Sequence, residues 1–154
     1  MQTRLKNRKE QIIKLALEFI QTKGFDSFSY QDLANELGIT KASIHHHFPK
    51  KADLGVAICQ AIQLWHEQEF GKVRSFKGSA MAQLELYVEG SLRYACGKNK
   101  ICPLSSLQAD IASLPEAMQP ALKKLDAHEL DFMTELLEQC RKNDELTFSG
   151  PVRS

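Results

Sequence analysis

Residues 29–51 read SYQDLANELGITKASIHHHFPKK, a stretch that predicts two short helices on either side of a glycine turn. In the first, from about Gln31 to Leu37, Leu33 and Leu37 are four apart and share a face. Ala34 is small where a second helix must cross closely. Gly38 follows the last apolar residue, where the left-handed backbone of a helix end suits glycine best. Ile39 turns back toward the core, and Thr40 offers a hydroxyl to the free N–H groups of the next helix. Ile44 and Phe48, again four apart, face inward. Lys41, Ala42, Ser43, His45, His46 and His47 are left to the outer faces, followed by Pro49-Lys50-Lys51. A plain helical hairpin explains the leucines and Gly38 but not that outer surface. The pattern fits a helix-turn-helix whose second helix enters the major groove of duplex DNA.

Upstream, the stretch from about Leu5 to Thr22 carries Ile12, Ile13, Ala16, Leu17, Phe19 and Ile20 on one broad stripe, which predicts a bracing helix ended by Gly24. Its basic start (Arg4, Lys6, Arg8, Lys9) suits contact with a phosphate backbone, or else a solvated terminus. Charge is distributed accordingly. Residues 1–51 hold nine Lys/Arg against five Asp/Glu, and residues 52–154 hold eleven against fourteen, so a net charge of only +1 hides a basic end and an acidic remainder. The excess is small, so affinity for DNA should rest on several placed contacts rather than on bulk charge.

With its flanks, GFDSFSYQDLANELGITKASIHHHFPKKADL resembles the N-terminal domain of TetR/AcrR-type transcriptional regulators, through Gly24, Phe25, Phe28, Ser29, Leu33, Ala34, Gly38, Ile39, Thr40, Ser43, Ile44, His47, Phe48, Lys51 and Leu54. His45 stands where that family usually has tyrosine. The resemblance covers about residues 8–65. It implies an all-α chain: a three-helix bundle with the helix-turn-helix over residues 1–66, then a helical ligand-binding or regulatory bundle over residues 67–154. It implies a ligand-responsive repressor that binds a palindromic operator, with a small-molecule effector; a cytoplasmic location is the default expectation from the charged N-terminus MQTRLKNRKEQ, which lacks a signal-peptide apolar core. The DNA contacts the resemblance implies are Ser29, Tyr30 and Gln31 at the start of the first short helix, Thr40, Lys41, Ala42, Ser43, His45, His46 and His47 along the second, and Lys51, the strongest single phosphate ligand. The alternative reading is a helical protein-interaction module without sequence-specific DNA binding.

Helical periodicity continues to the end of the chain. Lys50 and Lys51 open a long helix to about Lys72, a further one runs from about Ser79 to Gly97, and a short one lies within GKNKICPLSSLQADIASLPEAM. A last long helix from Glu116 to about Asn143 has Leu122, Leu125, Leu130, Phe132, Met133, Leu136 and Leu137 on its inner side, with Pro120 in its first turn. No apolar run reaches the ~18 residues a membrane helix needs. No strand pattern, repeat or low-complexity segment appears. The four cysteines are scattered without a CxxC pair, which argues against a zinc site or a disulfide framework. Adjacent helical positions point about 100° apart, so His45, His46 and His47 do not converge on a metal. They leave open a generic pH dependence of DNA affinity. No catalytic constellation or cofactor motif is present, and an enzyme is not expected.

By the resemblance, an effector pocket lies between the long helices. Its candidate lining residues are Trp65, Tyr87, Ser91, Tyr94, Cys102 and Leu107, most of which also fit plain core. The run Lys100-Ile101-Cys102-Pro103-Leu104 resembles a Gly/Met–Cys–Leu/Pro–Leu/Ile motif in one branch of the family, some members of which sense electrophiles or oxidants through the cysteine. Lys98 and Lys100 would lower such a thiol's pKa if they lie close; a buried inert cysteine is the other reading. Resembling chains usually continue through two more helices that form a four-helix dimer interface. NDELTFSGPVRS here contains a Gly-Pro breaker instead. The sequence therefore predicts a bundle lacking those two helices, a homodimer in doubt, and reduced stability with a tendency to aggregate.

Overall fold

The computed structural model describes residues 2–95 and 100–153, with side chains placed for 7–93 and 100–153. Arg4, Lys6, Tyr94 and Lys98 therefore fall outside the described side chains. Helix α1 is Gln2–Lys23, α2 Tyr30–Leu37, α3 Lys41–His47, α4 Lys51–Ser75, α5 Ala80–Ala95, α6 Pro103–Ala109 and α7 Gln119–Lys142, with a 3₁₀ turn at Glu116–Met118. No strand occurs among the described residues.

Local chemistry sets the boundaries of the first elements. Gly24 adopts φ 85° and closes α1 by donating its N–H to Ile20 O at 3.1 Å. A reciprocal box starts α2: Asp32 N–H donates to Ser29 Oγ (3.2 Å), and Ser29 N–H donates to Asp32 Oδ2 (2.7 Å). The Ser29 hydroxyl, which donates to Asp32 Oδ2 at 2.7 Å, and then the Ser29 N–H hold the Asp32 carboxyl below its usual range. Gly38, at φ 62°, ends α2, and Ile39 N–H returns to Ala34 O at 3.0 Å. Thr40 then caps α3, its Oγ accepting Ser43 N–H at 3.2 Å. Phe48 is extended before Pro49, as the residue preceding a proline prefers.

Two apolar clusters hold the molecule. The first takes Ile12, Ala16 and Ile20 of α1, Phe25 and Phe28 of the following loop, Leu33, Ala34, Ile44 and Phe48 of the helix-turn-helix, and Leu54, Ile58 and Ile62 of α4. It continues into Leu104, Leu107, Leu114, Met118, Leu122 and Leu125, so residues well beyond position 66 share the core of the N-terminal bundle. The second cluster centres on Phe70, Val73, Tyr87, Phe132 and Leu136. Phe70 and Phe132 stack there at 3.9 Å and 10°. Leu130 departs from the expected inner side of α7: it is 47% exposed, because α7 turns that face outward beside Val88 and Leu92 of α5.

Gly55 lets α4 rest directly on the 3₁₀ turn. A β-carbon there would lie 2.1 Å from Met118 Sδ, and Met118 is fully buried. Overpacking of this kind costs about 1–3 kcal/mol, and the helix propensity gained offsets about 1 kcal/mol of it. Gly55→Ala is accordingly expected to lower the urea midpoint, and adding Met118→Val to restore part of the loss.

The segment after α7 turns at Asp144 (φ 55°) and places Glu145 at the start of α5. Its carboxylate accepts Met81 N–H at 2.7 Å and Ala80 N–H at 3.2 Å, a favourable place for a negative charge. The bond from Met81, then that from Asn143, keeps its pKa below the ordinary 4.5. The unfolded chain therefore binds this proton more readily. The stabilisation is complete above the ordinary value and lost as pH falls through the folded one. The difference in melting temperature between the parent and Glu145→Ala should be full at neutral pH and vanish in acid.

Candidate DNA interface and effector cleft

The two cores leave one face of α3 in solvent. Ile44 and Phe48 are buried, while Lys41, Ala42, His45 and His46 are exposed and Ser43 and His47 half-buried. Ser43 Oγ lies 3.0 Å from Thr40 Oγ, which ties it to the cap. The His45 ring packs edge-on against Tyr30 at 4.8 Å, and its Nδ1 is 3.3 Å from Pro49 O. His46 and His47 meet edge to face at 5.5 Å. Burial, then the neighbouring His46, Lys9 and Arg8, push the His47 pKa down, so this imidazole is neutral at physiological pH. Lys9 reaches across from α1, its Nζ 5.5 Å from the Phe48 ring centre, so basic groups flank the end of α3. Gln31 is exposed at the start of α2 and bonds Asn35 at 2.7 Å.

Two expected DNA contacts are turned inward instead. Tyr30 is 6% exposed, and its hydroxyl donates to Phe48 O at 2.9 Å. Burial, with Asp53 adding to it, lifts the Tyr30 pKa to about 12. Tyr30 thus fixes where α3 ends rather than presenting its ring to a ligand. Lys51 Nζ donates to Phe25 O (2.7 Å) and Phe28 O (2.5 Å) and sits over both phenyl rings, at 4.8 and 4.4 Å. The sequence places it at a helix start, where a phosphate ligand is plausible. The fold makes it a strut between α4 and the loop joining α1 to α2.

At the other end, α4, α5, α6 and α7 surround an open cleft of about 600 Å³. Of the expected lining residues, Trp65, Tyr87, Ser91 and Cys102 meet there. Leu107 does not: it is fully buried in the first cluster, on the side of α6 that faces the N-terminal bundle. Cys102 is half-buried at the start of α6.

Sequence reasoning missed five polar residues of the cleft, His66, Ser105, Gln108, Asp126 and Glu129. Asp126 accepts a bond from Gln108 Nε2 (2.7 Å) and Glu129 one from the Tyr87 hydroxyl (2.9 Å). Burial first, then Glu129, drives the Tyr87 pKa up. The signal was available: Leu122, Leu125, Asp126, Glu129 and Met133 follow a single helical stripe, so two acids stand where apolar residues would be expected. His66 is 3% exposed, and burial depresses its pKa against the opposing pull of Glu129.

Helix α6 touches both regions. Cys102, Ser105 and Gln108 face the cleft, while Ser106 Oγ donates to Ile20 O at 3.0 Å on α1. Ile101 N–H donates to Gln21 O, also at 3.0 Å. The end of α1 is thereby tied to a wall of the cleft.

An exposed short helix capped by threonine, braced by two others and joined through α4 to a ligand-sized cleft, defines a helix-turn-helix protein with a second, cleft-bearing helical part. The family profile described as "Bacterial regulatory proteins, tetR family" matches residues 12–58. The crystal structure of a TetR transcriptional regulator from Legionella pneumophila is 31% identical with a TM-score of 0.79, the match covering 84% of this chain and 71% of that one. A TetR-family regulator from Agrobacterium tumefaciens is 26% identical with a TM-score of 0.90, covering 97% of this chain and 79% of that one. The HTH-type transcriptional repressor NemR of Escherichia coli K12 is 24% identical over 145 residues, 92% of this chain and 73% of its own length. The chain belongs to the TetR family of bacterial regulatory proteins. No helix among the described residues is long and apolar enough to cross a membrane.

Proposed function

We propose that this protein is a ligand-responsive transcriptional repressor that binds operator DNA through α3 and an effector in the cleft. The observation that carries this reading is the outward face of α3. Lys41, Ala42 and His46 have no role in the core, while Ile44, Phe48 and the Tyr30 hydroxyl hold the helix firmly behind them. Lys41 suits guanine O6/N7 or a phosphate, Ala42 a thymine methyl, and His46 and His47 base edges or phosphates. Ser29, Gln31, Thr40, Ser43 and His45 complete the contact surface, with Arg8 and Lys9 on flanking phosphates. Residues 1–66 serve as the DNA-binding unit and residues 67–154 as the regulatory unit. Two copies would set two α3 helices about 34 Å apart, to match a palindrome.

Regulation follows from α6. A ligand against Cys102, Ser105 or Gln108 favours one position of α6, and the bonds to Ile20 and Gln21 pass that preference to α1 and the helix-turn-helix. Linkage makes the coupling mutual: DNA must weaken effector binding by the same factor that the effector weakens DNA binding. The test is a gel-shift titration with the DNA flanking the coding gene, across a salt series. Retention that survives unrelated competitor DNA and falls steeply with salt is expected. Retention of all fragments alike, or of none, would show the reading to be wrong and favour a helical interaction module.

A further inference from the structure

The proposed effector site carries chemistry that narrows its ligand, and this step rests on the cleft being that site. Its described lining holds two carboxylates, Asp126 and Glu129, and no lysine or arginine. Each carboxylate has only a neutral donor, Gln108 for one and the Tyr87 hydroxyl for the other, and neither forms an ion pair among the described residues. The nearby cations Lys72 and Arg93 line an adjoining, smaller pocket that shares Trp65, His66, Tyr87 and Ser91 with the cleft, and Lys72 is paired there with Glu69 at 2.5 Å.

The rest of the wall is aromatic and aliphatic: Trp65 and Tyr87 on one side, Val88, Leu92, Leu130 and Met133 around them. His66 lines the same cleft, and its Nδ1 is buried with no partner among the described residues. Burial holds that imidazole's pKa down, so it adds no compensating positive charge at neutral pH. A half-enclosed site with π-faces and two carboxylates that no described lysine or arginine pairs with attracts a positive charge on an apolar body and repels a negative one. We infer that the cleft takes a lipophilic organic cation, such as an amine or quaternary onium carrying aromatic or branched alkyl groups. Asp126 and Glu129 would neutralise its charge, with Trp65 and Tyr87 against its apolar body.

The test uses two ions of nearly the same size and shape and opposite charge, tetraphenylphosphonium and tetraphenylborate. Trp65 is the sole tryptophan, so its emission reports occupancy directly. The phosphonium is expected to bind at least roughly tenfold more tightly than the borate, a preference of about 1.4 kcal/mol. Glu129→Gln and Asp126→Asn keep an acceptor for Tyr87 and Gln108. Each should weaken the phosphonium several-fold and leave borate binding equal or stronger. Equal affinity of the two ions for the parent protein overturns the inference without any variant being needed. So does phosphonium binding indifferent to both substitutions in variants whose thermal melting is unchanged. Because these readings use protein without DNA, the ligand class and operator binding stand or fall separately. Phosphonium binding without specific DNA retention would sink the repressor reading and uphold the charge preference.

Discussion

Lys41→Ala combined with His46→Ala is expected to reduce specific operator retention by about a hundredfold or more while leaving the fold intact. Each well-placed contact to a base edge is worth about 1–3 kcal/mol, so losing two brings affinity close to the non-specific level. Stability should hardly move. Both side chains are exposed on α3, alanine suits a helix, and surface substitutions of this kind usually stay within about 0.5 kcal/mol. The contrast with Ile44→Ala separates recognition from folding. Ile44 is fully buried in the first cluster, and truncating a buried isoleucine costs about 2–5 kcal/mol, so binding and stability would fall together. Gel shifts and urea melts of the two variants provide the check. Full retention by the exposed double variant would remove α3 from the interface.

Lys51→Met is expected to do the reverse. Methionine keeps much of the apolar stem but removes the ammonium that holds Phe25 O and Phe28 O to α4. Hydrogen bonds from a charged donor contribute about 1.5–3 kcal/mol, and two carbonyls lose their partner at once, so a loss of about 2–3 kcal/mol follows. Lys51→Arg should not restore it, because a planar fork fits poorly where a compact ammonium bridges two carbonyls over two rings. The salt dependence of DNA binding is the discriminating measurement. Removing a phosphate ligand lowers the slope of log affinity against log salt by about one. That change is expected for Arg8→Ala or Lys9→Ala and not for Lys51→Met under conditions where the variant is folded. A full unit lost from the slope with stability unchanged would return Lys51 to the interface.

The N-terminal half was legible because its determinants are local. Gly38, Thr40 and Pro49 each act within four residues, so the end of α2 and the bounds of α3 follow from the local sequence, whereas the Ser29–Asp32 box that opens α2 at Tyr30 was not read from it. What else was not legible there depends on residues distant in sequence. Tyr30 faces Phe48, and Lys51 faces Phe25 and Phe28, and neither pairing has a periodic signature. The second half was legible as helices but less so as a site. Tyr87, Trp65, Ser91 and Cys102 were named only because the family resemblance implies a pocket between the long helices. Leu107 was misassigned because α6 is too short for its sequence to reveal which face meets α1. Asp126 and Glu129 were missed because acids on an exposed helix look like ordinary solvated charge until the neighbouring apolar stripe is counted with them.

The near contact between α4 and Met118 has a bearing on how such a sequence can drift. With no β-carbon at position 55, the thioether at 118 occupies the volume that a side chain would need, so the two positions are not free to vary independently. A lineage acquiring alanine or serine at 55 should also carry a shorter residue at 118. A paired substitution of that sort among descendants of this gene would record the helix spacing as plainly as a distance does.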